Sequence, residues 1–253
     1  MNGSKGDLQL ASFWEHLDEL RGAIIRAGLV ALVAVVLAFA FKDVLFSLVL
    51  APSRYDFLSY RLLGIQASDI HLINTGLTEQ FMTHMRVACY AGLLLSLPYV
   101  IYELFRFVSP ALYQRERRYA GRLVGSAYAM FMVGTLVNYF IIFPLTVHFL
   151  GTYRVSTEVQ NMLTLQSYAE TLLSMSLIIG LVFELPVLSL ILALAGLLKP
   201  DWMRQYRRHA VVVILLIAAV ITPTTDVFTL LFVSLPIWWL YEASILIVKM
   251  TRR

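Results

Sequence analysis

LQSYAETLLSMSLIIGLVFELPVLSLILALAGLL, residues 165–198, is 34 residues long and carries only two charged side chains, Glu170 and Glu184. A helix rises about 1.5 Å per residue, so roughly 20 apolar residues cross a hydrocarbon core of about 30 Å. This stretch is therefore read as a membrane span. Five more apolar stretches accompany it, at 22–42, 81–107, 123–150, 209–221 and 227–248. Hydrophobic residues make up 59% of the 253 and charged residues 14%, with a mean hydropathy of +0.75. Too much apolar surface is present for a soluble domain to bury. In lipid each span must satisfy its own backbone, which leaves helices as the economical solution. The expected fold is an all-α integral membrane protein, one membrane domain over residues 1–253 with six transmembrane helices.

The last two spans look short. The uncharged run 210–221 has 12 residues, about 18 Å of helix. The final stretch is interrupted by Pro236 and Glu242. A short hairpin is expected, joined by Thr222-Pro223-Thr224-Thr225 and stopping inside the membrane or thinning it.

Basic residues set the expected orientation. Lys5, Arg21, Arg115, Arg117, Arg118, Arg122, Lys199, Arg204, Arg207, Arg208, Lys249, Arg252 and Arg253 fall on one side, against Arg54, Arg61 and Arg154 on the other. Both termini are accordingly expected in the cytoplasm. The pI near 9.2 expresses this asymmetry, and no basic-aromatic platform for nucleic acid is visible. The first apolar run lacks a nearby small-residue cleavage site, so it reads as a retained anchor. Cys89 is the one cysteine, which excludes an intrachain disulfide.

Ser12 and Glu15 have capping-box spacing, and Phe13, Leu17, Leu20 and Ile24 share a stripe. A short amphipathic surface helix is expected there, with Glu15 and Glu19 on its polar face. Pro52 should break the chain after the first span. In the second connection Glu116 stands among Arg115, Arg117, Arg118 and Arg122. It either forms local ion pairs or stays available to a cationic ligand. Glu103 and Arg106 read as an i,i+3 pair, and Glu170 as a local interfacial charge. Asp226 near the start of the last helix suits the helix dipole.

Glu184 is the outlier. A charged carboxylate at the bilayer centre costs roughly 2.5–3.5 kcal/mol on insertion scales, so it must be paired, neutralised or hydrated. Pro186 frees the carbonyl near Val182 and should kink the helix beside it. The histidines are scattered without metal-ligand spacing, and no Walker loop, dinucleotide fingerprint or nucleophile elbow occurs. Enzymatic chemistry, a metal site and a cofactor are not expected.

These pieces occur together in one family. From Ser12 to about Val248 the chain resembles the TatC family, the six-span subunit of the twin-arginine protein translocase. The motifs run in order: HLDELR at 16–21, the Pro52 break, FRFVSPALYQRERR at 105–118, FELPV at 183–187 and TPTTDVF at 222–228. One departure is that Thr224 and Thr225 separate Pro223 from Asp226, where the family commonly has Pro beside Asp. The resemblance implies a receptor for twin-arginine signal peptides of folded export substrates, in a bacterial or archaeal cytoplasmic membrane. Glu19 and Glu116 would recognise the arginine pair, with Arg21, Phe107, Arg117 and Arg118 in the same motifs. Pro52, Pro186 and Asp226 would serve structure or partner contact. Small single-span Tat subunits would be the partners, in an oligomeric, lipid-embedded complex driven by the proton-motive force, with Glu184 the intramembrane functional residue. The alternatives are a proton-coupled small-solute transporter using Glu184 and a purely structural scaffold.

Overall fold

In the computed structural model, residues 4–65, 70–108, 120–153, 162–194, 196–222 and 227–251 are described. Helix α1, Ser4–Ala40, is unbroken for 37 residues, about 55 Å of rise. This corrects the expectation of a separate surface helix starting near Ser12: that position lies inside α1. The apolar stripe and the first span share one periodicity, so nothing in the chain stops the helix between them. Ile24, Leu29, Leu32, Val33 and Val36 are exposed, as suits a helix whose outer face meets lipid rather than water.

After a break at Phe41, α2 runs Lys42–Leu50 and a 3-10 turn follows at Ala51–Ser53, with Pro52 in its first turn. Pro52 ends the helix as its missing N–H requires. Helix α3, Leu58–Leu63, ends at Gly64, whose φ of +65° is the left-handed cap that glycine adopts without strain. Strand β1, Leu72–Ile73, pairs in parallel with β2, Leu163–Thr164. This two-residue ladder joins two connections distant in sequence, an irregularity that hydropathy does not foretell.

Helix α4, Glu79–Val108, contains Pro98. Helix α5, Ala120–Val137, passes through a π turn at Asn138–Ile142 into α6, Phe143–Thr152. Pro144 cannot donate to the carbonyl of Phe140, and the helix widens just before it. Helix α7, Leu165–Val182, gives way at Phe183–Glu184 to α8, Leu185–Leu194. The break falls where Pro186 removes a donor. Helices α9, Pro200–Gln205, α10, Arg207–Ile221, and α11, Val227–Thr251, complete the chain.

Five described helical segments are long and apolar enough to cross a membrane: Leu17–Ala40, Glu79–Leu104, Leu123–Thr152, Leu165–Leu194 and Thr229–Met250. Helix α10 has 15 residues, about 22 Å, so in the final hairpin the shortness belongs to α10 while α11 is full length. Arg207 Nη2 donates to Glu242 Oε2 at 2.6 Å, tying its start to α11.

Small residues bring helices close. A Cβ on Gly92 of α4 would lie 2.5 Å from the backbone nitrogen of Val35 on α1. One on Gly134 of α5 would lie 2.9 Å from the Cα of Gly180 on α7. Both approaches exclude any larger side chain. Around the second, Phe143, Ile142, Met175, Ile179 and Ile237 fill the core.

Candidate functional site

The α1–α4 pair builds the first candidate region. Three rungs fix its register. Arg26 meets Glu103, Val35 meets Gly92, and the Phe39 ring stacks on His84 at 4.1 Å. Numbers rise on one helix as they fall on the other, so the helices are antiparallel. Glu19, before Arg26, and Phe107, after Glu103, therefore lie toward the same end. Glu19 and Arg21 are exposed there and Phe107 is partly buried. Glu116, Arg117 and Arg118, which the sequence places in the connection after Phe107, lie outside the described residues, as does Asp226.

Glu103 is the charged anchor of this end. Arg26 Nε donates to its Oε1 at 3.1 Å and Arg26 Nη2 to its Oε2 at 2.8 Å. Tyr99 OH donates to Oε1 at 2.9 Å. The expected partner, Arg106, is thus replaced by a guanidinium from another helix. The reason is geometric: a bidentate fork from a facing helix fills both oxygens, which a neighbour on the same helix reaches poorly. Sequence reading missed Arg26 and Arg86. Each is a cation inside an apolar span, and that alone signals a buried or facing partner. Arg86 of α4 pairs with Glu170 of α7, which also accepts from Gln166 Nε2 at 2.7 Å. Glu170 is accordingly an interhelical tie.

Glu184 sits in the break between α7 and α8 and is half-buried. Its Oε1 is buried with no hydrogen-bond partner among the described residues. The neighbouring backbone is bonded, Leu188 N donating to Glu184 O at 2.9 Å. A side chain that Coulomb attraction would pair, and that nothing described pairs, must be neutral or hydrated at this depth.

A further polar group of atoms lies between α4, α5 and α7. Asn138, in the π turn, donates through Nδ2 to Ser176 Oγ at 2.8 Å. Tyr90 OH, Thr135 Oγ1 and Asn138 Oδ1 are buried without a partner among the described residues. Tyr90, Thr135 and Ser176 line one side of an otherwise apolar cavity of about 250 Å³.

The opposite end is a hydrogen-bonded cap. Glu79 accepts from the backbone N–H groups of Thr75, Gly76 and Gln166 at 2.8–3.0 Å, joining the connections that carry β1 and β2. Tyr60 OH donates to the carbonyls of Pro52 and Pro144 at 3.0 and 3.2 Å. Burial pushes the Tyr60 phenol up to about 12, so it stays a donor. Pro52 is thus a fixed corner of this cap. Among the described residues no cluster of His, Cys, Asp or Glu could hold a metal ion.

Comparison with known proteins bears directly on these elements. Residues 15–236 match the family model described as Sec-independent protein translocase protein (TatC). A protein of that name from Desulforapulum autotrophicum is 34% identical over 234 residues, covering 92% of this chain and 83% of its own length. That from Blattabacterium sp. subsp. Periplaneta americana is 31% identical over 250 residues, covering 93% and 94%. The chloroplastic protein of Arabidopsis thaliana is 30% identical, covering 96% and 67%. A crystal structure of the twin-arginine translocase receptor TatC superposes with a TM-score of 0.77 at 29% identity, over 94% of this chain and all of that one. With its family model, its relatives and its fold in agreement, the chain belongs to the TatC family, a membrane-embedded transport subunit of the twin-arginine translocase rather than an enzyme.

Proposed function

We propose that this subunit receives twin-arginine signal peptides at the end of the molecule formed by the start of α1 and the end of α4. The observation that carries the reading is the exposed Glu19, held by the Arg26–Glu103 fork toward the same end as Phe107. Glu116 is the second carboxylate of the recognition pair, and Arg21, Arg117 and Arg118 belong to the same two sequence motifs. Guanidinium groups engage carboxylates through two parallel N–H donors, each charged bond contributing roughly 1.5–3 kcal/mol. Lysine lacks the planar fork, so a twin-lysine peptide binds less well.

Apolar length supports six spans within one membrane domain, and the distribution of Lys and Arg supports cytoplasmic termini, in a bacterial or archaeal cytoplasmic membrane. The solved relative is a twin-arginine translocase receptor, which supports the receptor role. The partners are small single-span Tat subunits in an oligomeric complex. Transport draws on the proton-motive force, with Glu184 as protonatable group, while Pro186 and Asp226 serve structure or partner contact. The unpartnered Oε1 of Glu184 also favours a second reading, a proton-coupled small-solute transporter.

Site-specific crosslinking of a twin-arginine signal peptide to the protein in membranes tests the proposal. Crosslinks should need both arginines and both Glu19 and Glu116. Equal crosslinking by a twin-lysine peptide, unaffected by Glu19→Ala or Glu116→Ala, would falsify it. Solute flux through the protein reconstituted alone would establish the second reading.

A further inference from the structure

Arg86 and Glu170 join α4 to α7, yet their side chains are 48% and 44% exposed. Both lie in segments long and apolar enough to cross a membrane, so lipid rather than bulk water surrounds the exposed part. Arg86 stands seven residues into α4 from Glu79, about 10.5 Å, and Glu170 five residues into α7 from Leu165, about 7.5 Å. The pair is thus within two turns of the cap built on Glu79, at the end of the span rather than its middle. One contact does not exhaust either group. A guanidinium carries five N–H donors and an ionised carboxylate about four acceptor sites. Both described partners of Glu170, Arg86 and Gln166, use the same oxygen, Oε1. Charges left part-solvated in a span need a polar neighbour.

The pair heads a groove of about 690 Å³ between α4 and α7, within the range of about 300–1,000 Å³ that ligand pockets span. Both helices start at the cap, where Gln166 N donates to Glu79 Oε1 at 3.0 Å, so rising numbers mean greater depth on each. The lining changes along that direction. Arg86, Glu170 and Thr171 form the outer end, Tyr90 and Leu173 come about one turn deeper, and Leu177 two turns deeper. Ser174, at middle depth, donates to the carbonyl of Thr171 at 3.2 Å, and Thr171 to that of Ser167 at 2.8 Å. Neither hydroxyl proton is left for a ligand. The groove is doubly charged at its outer end and mainly apolar below, the profile of a phospholipid standing in its leaflet.

We propose that this groove binds one phospholipid whose head group carries a primary ammonium. Its phosphodiester meets the Arg86 guanidinium, its ammonium meets the Glu170 carboxylate, and an acyl chain lies over Leu173 and Leu177. Guanidinium donors suit phosphate oxygens in paired geometry. Charge complementarity selects among head groups. A glycerol head group brings the phosphate without a cation for Glu170, and a choline brings a cation that cannot donate a hydrogen bond. Free phosphate has nothing to cover the apolar floor. This site rests only on the membrane reading of α4 and α7, not on the receptor role.

Cys89 is the one cysteine of the chain; it is exposed and lines the same groove, so its reactivity reports occupancy. The test is the rate at which N-ethylmaleimide labels Cys89 in the full chain, held in phosphatidylcholine nanodiscs. Phosphatidylethanolamine or phosphatidylglycerol with matched chains is titrated in. A reagent that reaches only the free groove slows by the factor 1 + [L]/Kd, about fivefold at four times Kd. Phosphatidylethanolamine should produce that slowing, and phosphatidylglycerol should leave the rate near its starting value. Arg86→Leu/Glu170→Leu replaces the ion pair by apolar groups, which folds commonly tolerate. It should abolish the head-group dependence while the thermal midpoint stays near wild type. Should that variant fail to accumulate, Glu170→Gln decides: with only the cation left, phosphatidylglycerol should protect as well as phosphatidylethanolamine. Equal slowing by both lipids in the wild type overturns the inference, as does an ethanolamine preference that survives either variant. Labelling that no lipid slows overturns it too, and slowing by a twin-arginine signal peptide in its place would assign the groove to the peptide.

Discussion

Glu103 and Glu184 are both carboxylates in long apolar helical segments, and the structure treats them oppositely. Glu103 receives three hydrogen bonds, two from a guanidinium on another helix. Glu184 has a buried oxygen that nothing described satisfies. A satisfied carboxylate fixes geometry, because breaking it strands a partner; an unsatisfied one stores a cost that the fold does not need for itself. The comparison separates a charge that holds helices in register from one whose retention calls for a task.

The largest expected effect comes from attacking the register directly. Gly92→Leu would force α4 away from the Val35 backbone. It should destabilise the α1–α4 pair by about 3 kcal/mol or more, beyond ordinary overpacking because backbone is the obstacle. Thermal unfolding in detergent should show a lower midpoint, and signal-peptide crosslinking to Glu19 variants and wild type should become equally poor. A Gly92→Leu protein as stable as wild type would remove the case for close approach.

Glu184→Gln tests the other side of the comparison. The amide keeps the shape and removes the charge, so stability should stay within about 1 kcal/mol of wild type or rise. Transport of a folded twin-arginine substrate should nevertheless fall by about tenfold or more, if the group carries protons as general acid–base groups do. Wild-type transport across external pH would end the proton role, leaving Glu184 a structural residue like Glu103.

A smaller effect is expected at the far cap. Tyr60→Phe removes a donor shared by two carbonyls and should cost about 1 kcal/mol. The Tyr60 phenol titrates higher folded than unfolded, at about 12 against an ordinary value near 10. Its contribution is therefore fully present below pH 10 and lost as pH rises through 12. The gap between wild type and Tyr60→Phe in denaturation midpoint should be flat from pH 6 to 9. A gap that already closes by pH 9 contradicts the buried-donor geometry.

The smallest effect belongs to Arg86→Gln. Its pair with Glu170 is nearly half exposed at both partners, and such pairs contribute about 0–1 kcal/mol. A lipid environment in place of water would raise that value. A loss above 2 kcal/mol in bilayers but not in detergent would place the pair among the register-setting charges with Glu103.

Much of the architecture was legible because lipid makes the rule simple. Apolar length predicts spans at 22–42, 81–107, 123–150, 165–198 and 227–248, and each overlaps one of the five described segments long and apolar enough to cross a membrane. The Pro52 corner and the Pro186 break were readable from a missing N–H. The motif segments at Glu19 and Phe107 pointed to one end of the molecule before any contact was known. The separate N-terminal surface helix was misread, because a capping-box spacing competes poorly with uninterrupted helical periodicity. Glu103 was paired with the wrong arginine, because i,i+3 spacing is visible in a sequence and a facing helix is not.

Composition and charge placement by themselves determined an all-α membrane protein and the oddity of Glu184, since both depend on transfer from water to lipid, a property of single residues and short runs. Only the tertiary structure decided that Arg26 reaches Glu103, that Gly92 admits the α1 backbone, and that Glu170 ties two helices. Those facts depend on which faces meet and in what register, and side chains tens of residues apart are brought within 3 Å by packing alone.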